Sequence, residues 1–127
     1  MVINKAISHY QQMGIETALI SATPHRLIQM LFEGLLSNLS ALKGALKNNN
    51  YDQIALHIRK SSNILVGLEE GLDLDKGQDI ARNLKDLYGY MQVELISLQL
   101  PGNEDRIEGL FDLVTQLKSA WDDIEPK

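Results

Sequence analysis

The 127-residue chain has the length of one ordinary domain, and its 44% hydrophobic and 23% charged residues are the balance of a protein with a packed core. A formal net charge of −5 without any run of Lys or Arg excludes a surface that tracks nucleic acid or an anionic membrane, and the lack of cysteine excludes disulfides, thiolate metal sites and cysteine nucleophiles. The longest apolar stretches, such as Ile28 to Phe32, are too short to span a bilayer, and residues 1–12 lack the apolar core of a signal peptide, so a soluble cytoplasmic protein without membrane insertion is expected.

Ile3, Ile7 and Tyr10 recur at helical spacing, which predicts a short helix or arm, and residues 13–22 form a weakly patterned connection. The arm and connection are assigned to residues 1–22 and the bundle to residues 23–127. Thr23-Pro24 is a helix start, because Thr accepts from a free first-turn N–H and Pro suits the first helical position. The first helix, α1, then runs to about Lys47 and stops at Asn48-Asn49-Asn50. A second, α2, is expected from Tyr51 or Asp52 to about Glu70, followed by a loop containing Gly71, Asp73, Asp75 and Gly77. The third, α3, spans about residues 78–99 and ends at Pro101-Gly102. Asn103 is the expected cap of α4, with Glu104 and Asp105 in its first turn and its end near Ile124. Four helices on short connections predict an all-α, antiparallel, up-and-down four-helix bundle.

The helices differ in the width of their apolar faces. In α4, Ile107, Leu110, Val114, Leu117, Trp121 and Ile124 form one stripe. In α1 the stripe is Leu27, Met30, Leu31, Leu35, Leu42 and Leu46; Ile28, Phe32, Leu36 and Leu39 widen the arc to about 240° at about 100° per residue. In α3 the stripe is Ile80, Leu84, Leu87, Met91, Leu95 and Leu98, with Tyr88, Tyr90, Val93 and Ile96 beside it. The surplus has two readings. Either α1 and α3 sit centrally, or are covered by the arm, or the surplus forms a groove for a partner helix.

Catalytic chemistry is missing. His9, His25 and His57 form neither an HExxH motif nor a Glu-x-x-His pair, and His25, just inside the start of α1, is expected at the surface. The carboxylate pairs Glu69-Glu70 and Asp122-Asp123 fall at helix ends. No cofactor or metal site and no enzymatic activity is expected. One alternative rests on His57 to Ser62, which resembles the phosphoacceptor stretch of histidine phosphotransfer bundles. Lys60 stands three residues on, as in that family, but Ser61 replaces its following Gly.

Three stretches together resemble the FliS family of flagellin-specific export chaperones. Ser21 to Gly34 (SATPHRLIQMLFEG) is similar to that family's Ala-Ser-Pro-x-x-Leu-Ile-x-Met-Leu-[Tyr/Phe]-[Asp/Glu]-Gly signature, with Thr23 in place of the usual Ser. Gly71-Leu72-Asp73, then Lys76 to Leu84 and Leu87 to Met91, resemble its Leu-Asp…Gly-Gly-Glu-Ile-Ala-x-Asn-Leu-x-x-Leu-Tyr-x-Tyr-Met block, with Gln78 and Asp79 replacing Gly-Glu. Leu113 to Trp121 is similar to its Leu-x-x-Leu-x-x-Ala-Trp ending.

The resemblance implies a cytoplasmic chaperone that binds the disordered C-terminal region of flagellin, prevents premature polymerisation and delivers flagellin to the flagellar type III export apparatus. It also implies that the arm can occupy the same surface. Ile7 and Tyr10 match the family's N-terminal apolar and Tyr positions and are carried over as partner contacts. The helical wheel adds Ile28, Phe32 and Leu36 on α1, and Tyr88, Val93 and Ile96 on α3. Tyr88→Asp or Ile96→Asp is expected to weaken partner binding while the fold survives; a variant that unfolds instead assigns its residue to the core. Monomer and homodimer both remain open.

Overall fold

The computed structural model describes residues 23–124; the arm and connection at 1–22, with Ile7 and Tyr10, and the last three residues lie outside them. Four helices follow in order: α1 (Pro24–Lys47), α2 (Tyr51–Glu70), α3 (Leu74–Ser97) and α4 (Arg106–Asp122). No strand occurs among the described residues.

Local chemistry sets most of the ends. Thr23 Oγ1 accepts from the Arg26 N–H at 3.1 Å, and Pro24 occupies the first turn. At the far end Asn49 takes a left-handed backbone, φ 53°, a region that Asn tolerates better than most residues. Asn50 Oδ1 then accepts from the Gln53 N–H at 3.3 Å and opens α2.

Two boundaries differ from expectation. The stretch expected as a loop before α3 is capped by Asp73, whose Oδ1 accepts from the N–H groups of Asp75 and Lys76 at 3.1 and 3.0 Å. One helical turn follows before the chain breaks at Gln78, where φ is 51° and ψ is −126°. A Cβ on the adjacent Gly77 would meet the Cβ of Ala81 at 2.6 Å, so the break admits no side chain at that position. The second difference is Asn103, which does not cap α4. Its amide donates back to the Ser97 carbonyl at 3.0 Å and ties off the end of α3, while residues 103–108 wind into α4 through i→i+3 bonds. Glu104 and Asp105 therefore precede the helix, and Ile124 lies just past its end.

The helices form a closed ring in which α1 packs on α2 and α4, and α3 packs on the same two. The short connections make ring neighbours antiparallel, as an up-and-down bundle requires. The seam along α1 and α2 is the tightest and that between α3 and α4 the loosest. α1 places nine buried residues in the core against three from α4, so α1 is the central rod. Its off-stripe Phe32 and Leu39 are buried, and Ile28 and Leu36 pack half-buried against the core. Much of its apolar excess is thus ordinary packing.

On α3 the core face is turned relative to the expected stripe. Ala81, Tyr88, Met91, Leu95 and Leu98 are buried, whereas Ile80 is 74% exposed. Ala81 to Leu98 is a continuous i+3/i+4 series through Leu84, and it displaces Ile80 to the rim.

Two substitutions test these features. Gln78→Gly removes a backbone conformation that costs a side-chain-bearing residue roughly 1–3 kcal/mol, offset by roughly 0.5–1 kcal/mol of glycine chain entropy. A rise in melting temperature of a few degrees is expected by calorimetry, and a fall would show that Gln78 is unstrained. Ser61, wholly buried on α2, has a hydroxyl with no hydrogen-bond partner. Ser61→Ala should be neutral or stabilise by up to about 1 kcal/mol in urea unfolding.

Candidate functional site: an apolar cleft at one end of the bundle

The start of α1 and the end of α4 meet at the same end of the bundle as the α2–α3 connection. The core is not closed there. Ile28 and Phe32 of α1, Leu68 of α2 and Leu72 just past its end, Ile80, Leu84 and Tyr88 of α3, and Leu117, Ala120 and Trp121 of α4 with Ile124 just past its end line an open cleft of about 250 Å³. Its lining includes no charged residue. The seam between α3 and α4 holds a larger recess, about 410 Å³, but Glu94, Asp105, Arg106 and Asp112 line it. The apolar cleft falls below the roughly 300–1,000 Å³ typical of small-molecule sites. It suits a few apolar side chains presented by another chain.

Tyr88 forms part of the cleft floor at only 4% exposure, and burial pushes its phenol up to about 12, so it stays neutral at physiological pH. On the α4 side the wall is clasped to α1. The Trp121 indole stacks on the His25 ring with centroids 5.0 Å apart and planes 15° from parallel. Trp121 Nε1 donates to the His25 carbonyl at 3.0 Å, and His25 Nε2 donates to the Trp121 carbonyl at 3.0 Å. The next residue, Asp122, accepts from the amide of Gln29, one turn beyond His25, at 2.8 Å and from Lys118 Nζ at 2.6 Å. The Lys118 ammonium, then the Gln29 amide, hold the Asp122 carboxyl below its usual range.

Ile28, Phe32 and Tyr88, picked from three separate positions in the sequence, converge on this cleft. Leu36 packs half-buried against the core outside it. Val93 and Ile96 lie elsewhere, 67% and 56% exposed on the outer face of α3 beside the exposed Tyr90. Ile7 and Tyr10 are outside the described residues. Helical-wheel reasoning missed Ile80, Trp121 and Ile124, all of which it assigned to core stripes. A signal was available: each sits at the helix end nearest this opening, where a bundle runs out of neighbours.

His57 is partly buried rather than free. The Asn38 amide donates to the Gly34 carbonyl at 2.9 Å and turns its oxygen to His57 Nδ1 at 2.9 Å, so the imidazole joins α2 to α1. Burial and then the Lys60 ammonium hold its pKa below the ordinary value, which leaves it neutral around pH 7. No group of three or more His, Asp or Glu side chains among the described residues is placed to hold a metal ion. An apolar side chain buried against this uncharged lining would be stabilised by about 1.5–3 kcal/mol.

Comparison with known proteins places this architecture. The family model described as "Flagellar protein FliS" matches residues 6–127. The chain belongs to the FliS family. It is 36% identical over 124 residues to the flagellar secretion chaperone FliSB of Pseudomonas aeruginosa, covering 98% of both chains. It is 37% identical to the flagellar secretion chaperone FliS of Salmonella typhimurium, covering 100% of this chain and 95% of that one. With the Campylobacter jejuni FliS the identity is 33%, over 95% and 91% of the two chains. In this FliS-family bundle the described parts of the three resembling stretches form the start of α1, the α2–α3 connection with α3 as far as Met91, and the second half of α4. Each supplies a wall of the cleft.

The exposures separate core from surface in one experiment. Tyr88→Asp would bury a charge where a large ring packs, and a loss of at least about 3–5 kcal/mol is expected in urea unfolding. That outcome departs from the sequence expectation that the fold survives this substitution. Ile96→Asp, on the outer face, should change stability by less than about 1 kcal/mol.

Proposed function

We propose that this chain is a non-enzymatic, cytoplasmic export chaperone that holds the C-terminal region of flagellin, keeps it from polymerising too early and hands it to the flagellar export apparatus. The observation that carries the reading is a charge-free apolar cleft in a member of a family whose relatives are described as flagellar secretion chaperones. Among the described residues no helix is long and apolar enough to cross a membrane, which accords with work in the cytoplasm.

The geometry favours an elongated guest. Leu84 in the cleft and the exposed Val93 and Ile96 are nine and twelve residues apart along α3, which at 1.5 Å per residue is roughly 14–18 Å. A guest segment that uses both surfaces must run along α3, anchoring apolar side chains in the cleft and again on the outer face. A disordered segment suits that task, because many weak anchors offset its ordering entropy. Ile28, Phe32 and Tyr88 contribute to the first surface, Val93 and Ile96 to the second. Leu36 supports the α1 wall, and Ile7 and Tyr10 are further contacts.

Co-expression with flagellin tests the reading. Flagellin should co-elute with the chain and stay monomeric at concentrations where free flagellin forms filaments, and flagellin lacking its C-terminal region should not co-elute. Val93→Asp and Ile96→Asp should each weaken binding by about ten-fold or more, the loss of one apolar anchor, with unchanged melting temperature. Flagellin that polymerises equally well in the chain's presence would end the proposal.

A further inference from the structure

The pairing of His25 with Trp121 exceeds what is needed to join two helix ends. The indole hydrogen bond runs to a main-chain carbonyl of α1, which any residue at position 25 would supply. The reverse bond does depend on the side chain: the Trp121 carbonyl accepts from the Ile124 N–H at 3.1 Å, and His25 Nε2 donates to it as a second partner from across the seam. The end of α4 is held from its α1 side, by this contact and by the Gln29–Asp122 bond. The α3–α4 seam is the loosest in the bundle, and the helix stops one residue beyond Trp121. The two rings also stack, so His25 fixes both the position of the final turn and the plane of the indole. That turn is the α4 wall of the cleft, through Trp121 and Ile124.

We propose that His25 is a positioning residue: its imidazole latches the last turn of α4 and thereby presets the Trp121 wall of the apolar cleft for its guest. His25 touches no guest in this scheme, because it is not part of the cleft lining. Its contribution is preorganisation. Without the latch the wall must be ordered at the moment of binding, and the affinity falls by that cost. Gln29 and Asp122 add a second, solvent-exposed rung that limits how far the turn can swing. The inference rests on the chaperone reading only for the identity of the guest, not for the latch itself.

Trp121 is the only tryptophan in the chain, so its emission reports directly on the wall. The test compares the wild type with His25→Ala, His25→Phe and His25→Gln in the full chain. Four quantities are measured: the Trp121 emission maximum, amide exchange in residues 117–124, melting temperature, and affinity for flagellin and for the dye anilinonaphthalene sulfonate as an apolar probe. His25→Ala should redshift the emission, speed exchange in the last turn and weaken both ligands by about three- to ten-fold, the equivalent of one hydrogen bond. His25→Phe keeps a ring against the indole but lacks the donor, and should fall between Ala and wild type. His25→Gln can return an N–H to the Trp121 carbonyl and should recover exchange protection.

A merely structural role would lower the melting temperature in proportion and leave affinity at low temperature untouched; that result overturns the proposal. So does a loosened Trp121 with unchanged affinity for both ligands. Should His25→Ala fail to fold, His25→Phe carries the same comparison. If wild-type protein binds the dye but not flagellin, the chaperone reading fails, and the latch is then judged on dye affinity alone.

Discussion

The four helices share the burden of the core unequally, and the rest of the structure depends on that imbalance. α1 sinks nine side chains, with Leu31, Leu35, Leu39 and Leu42 almost wholly out of water, and it is flanked along its length by α2 and α4. α3 stands opposite and packs on α2 and α4, but more loosely on the latter. A helix in that position buries one narrow series, Ala81 to Leu98, with Leu87 half-buried beside it, and leaves four larger apolar side chains in solvent. Ile80, Tyr90, Val93 and Ile96 are those residues. The hydrophobic effect disfavours such exposure at about 25 cal/mol per Å², which is the physical ground of the proposal that a guest covers them.

The cleft arises from the same asymmetry at one end of the bundle. Large side chains line it without filling it: Phe32 and Tyr88 form its floor, and Ile28, Ile80, Trp121 and Ile124 stand around it. Asp73 and the break at Gln78 start α3 at a set angle to α2, which brings Ile80 to the rim. The surface ion pairs contribute little by comparison. Lys43 with Glu108 and Arg106 with Glu94 are largely exposed at the basic partner, and such pairs are worth about 0–1 kcal/mol. Apolar geometry, more than charge, shapes this end of the molecule.

Helix number, order and most termini were legible because they rest on local chemistry. Thr23-Pro24 and the Asn48–Asn50 cluster act through side chains within three residues of the backbone groups they satisfy, so sequence alone suffices. Asn103 misled for the same reason: its type suits a cap, but its amide finds the Ser97 carbonyl six residues back, a choice set by the shape of the turn. The rotation of α3 was illegible because Ala81 is small and Ile80 large. A wheel weighted by hydrophobicity favours the isoleucine, whereas packing against α2 favours the residue in register with Tyr88 and Met91. The reading of Tyr88 as partner contact captured its place at the cleft and missed its burial. Ile28 and Phe32 were legible as surplus, but only the opening of the bundle end tells which part of the surplus meets solvent. The His25–Trp121 pair spans 96 residues and left no local trace.

That last separation bears on how the chain assembles. Three seams of the ring join helices adjacent in sequence, and each can form by closing a short turn at small entropic cost. The seam between α1 and α4 alone demands that distant parts of the chain find each other. During synthesis the first three helices emerge in an order that lets each dock on its predecessor, while α1 keeps one flank wet until α4 leaves the ribosome. Completion of the fold thus waits for α4, and a chain cut before that helix would leave the leucine-rich flank of its central rod in solvent.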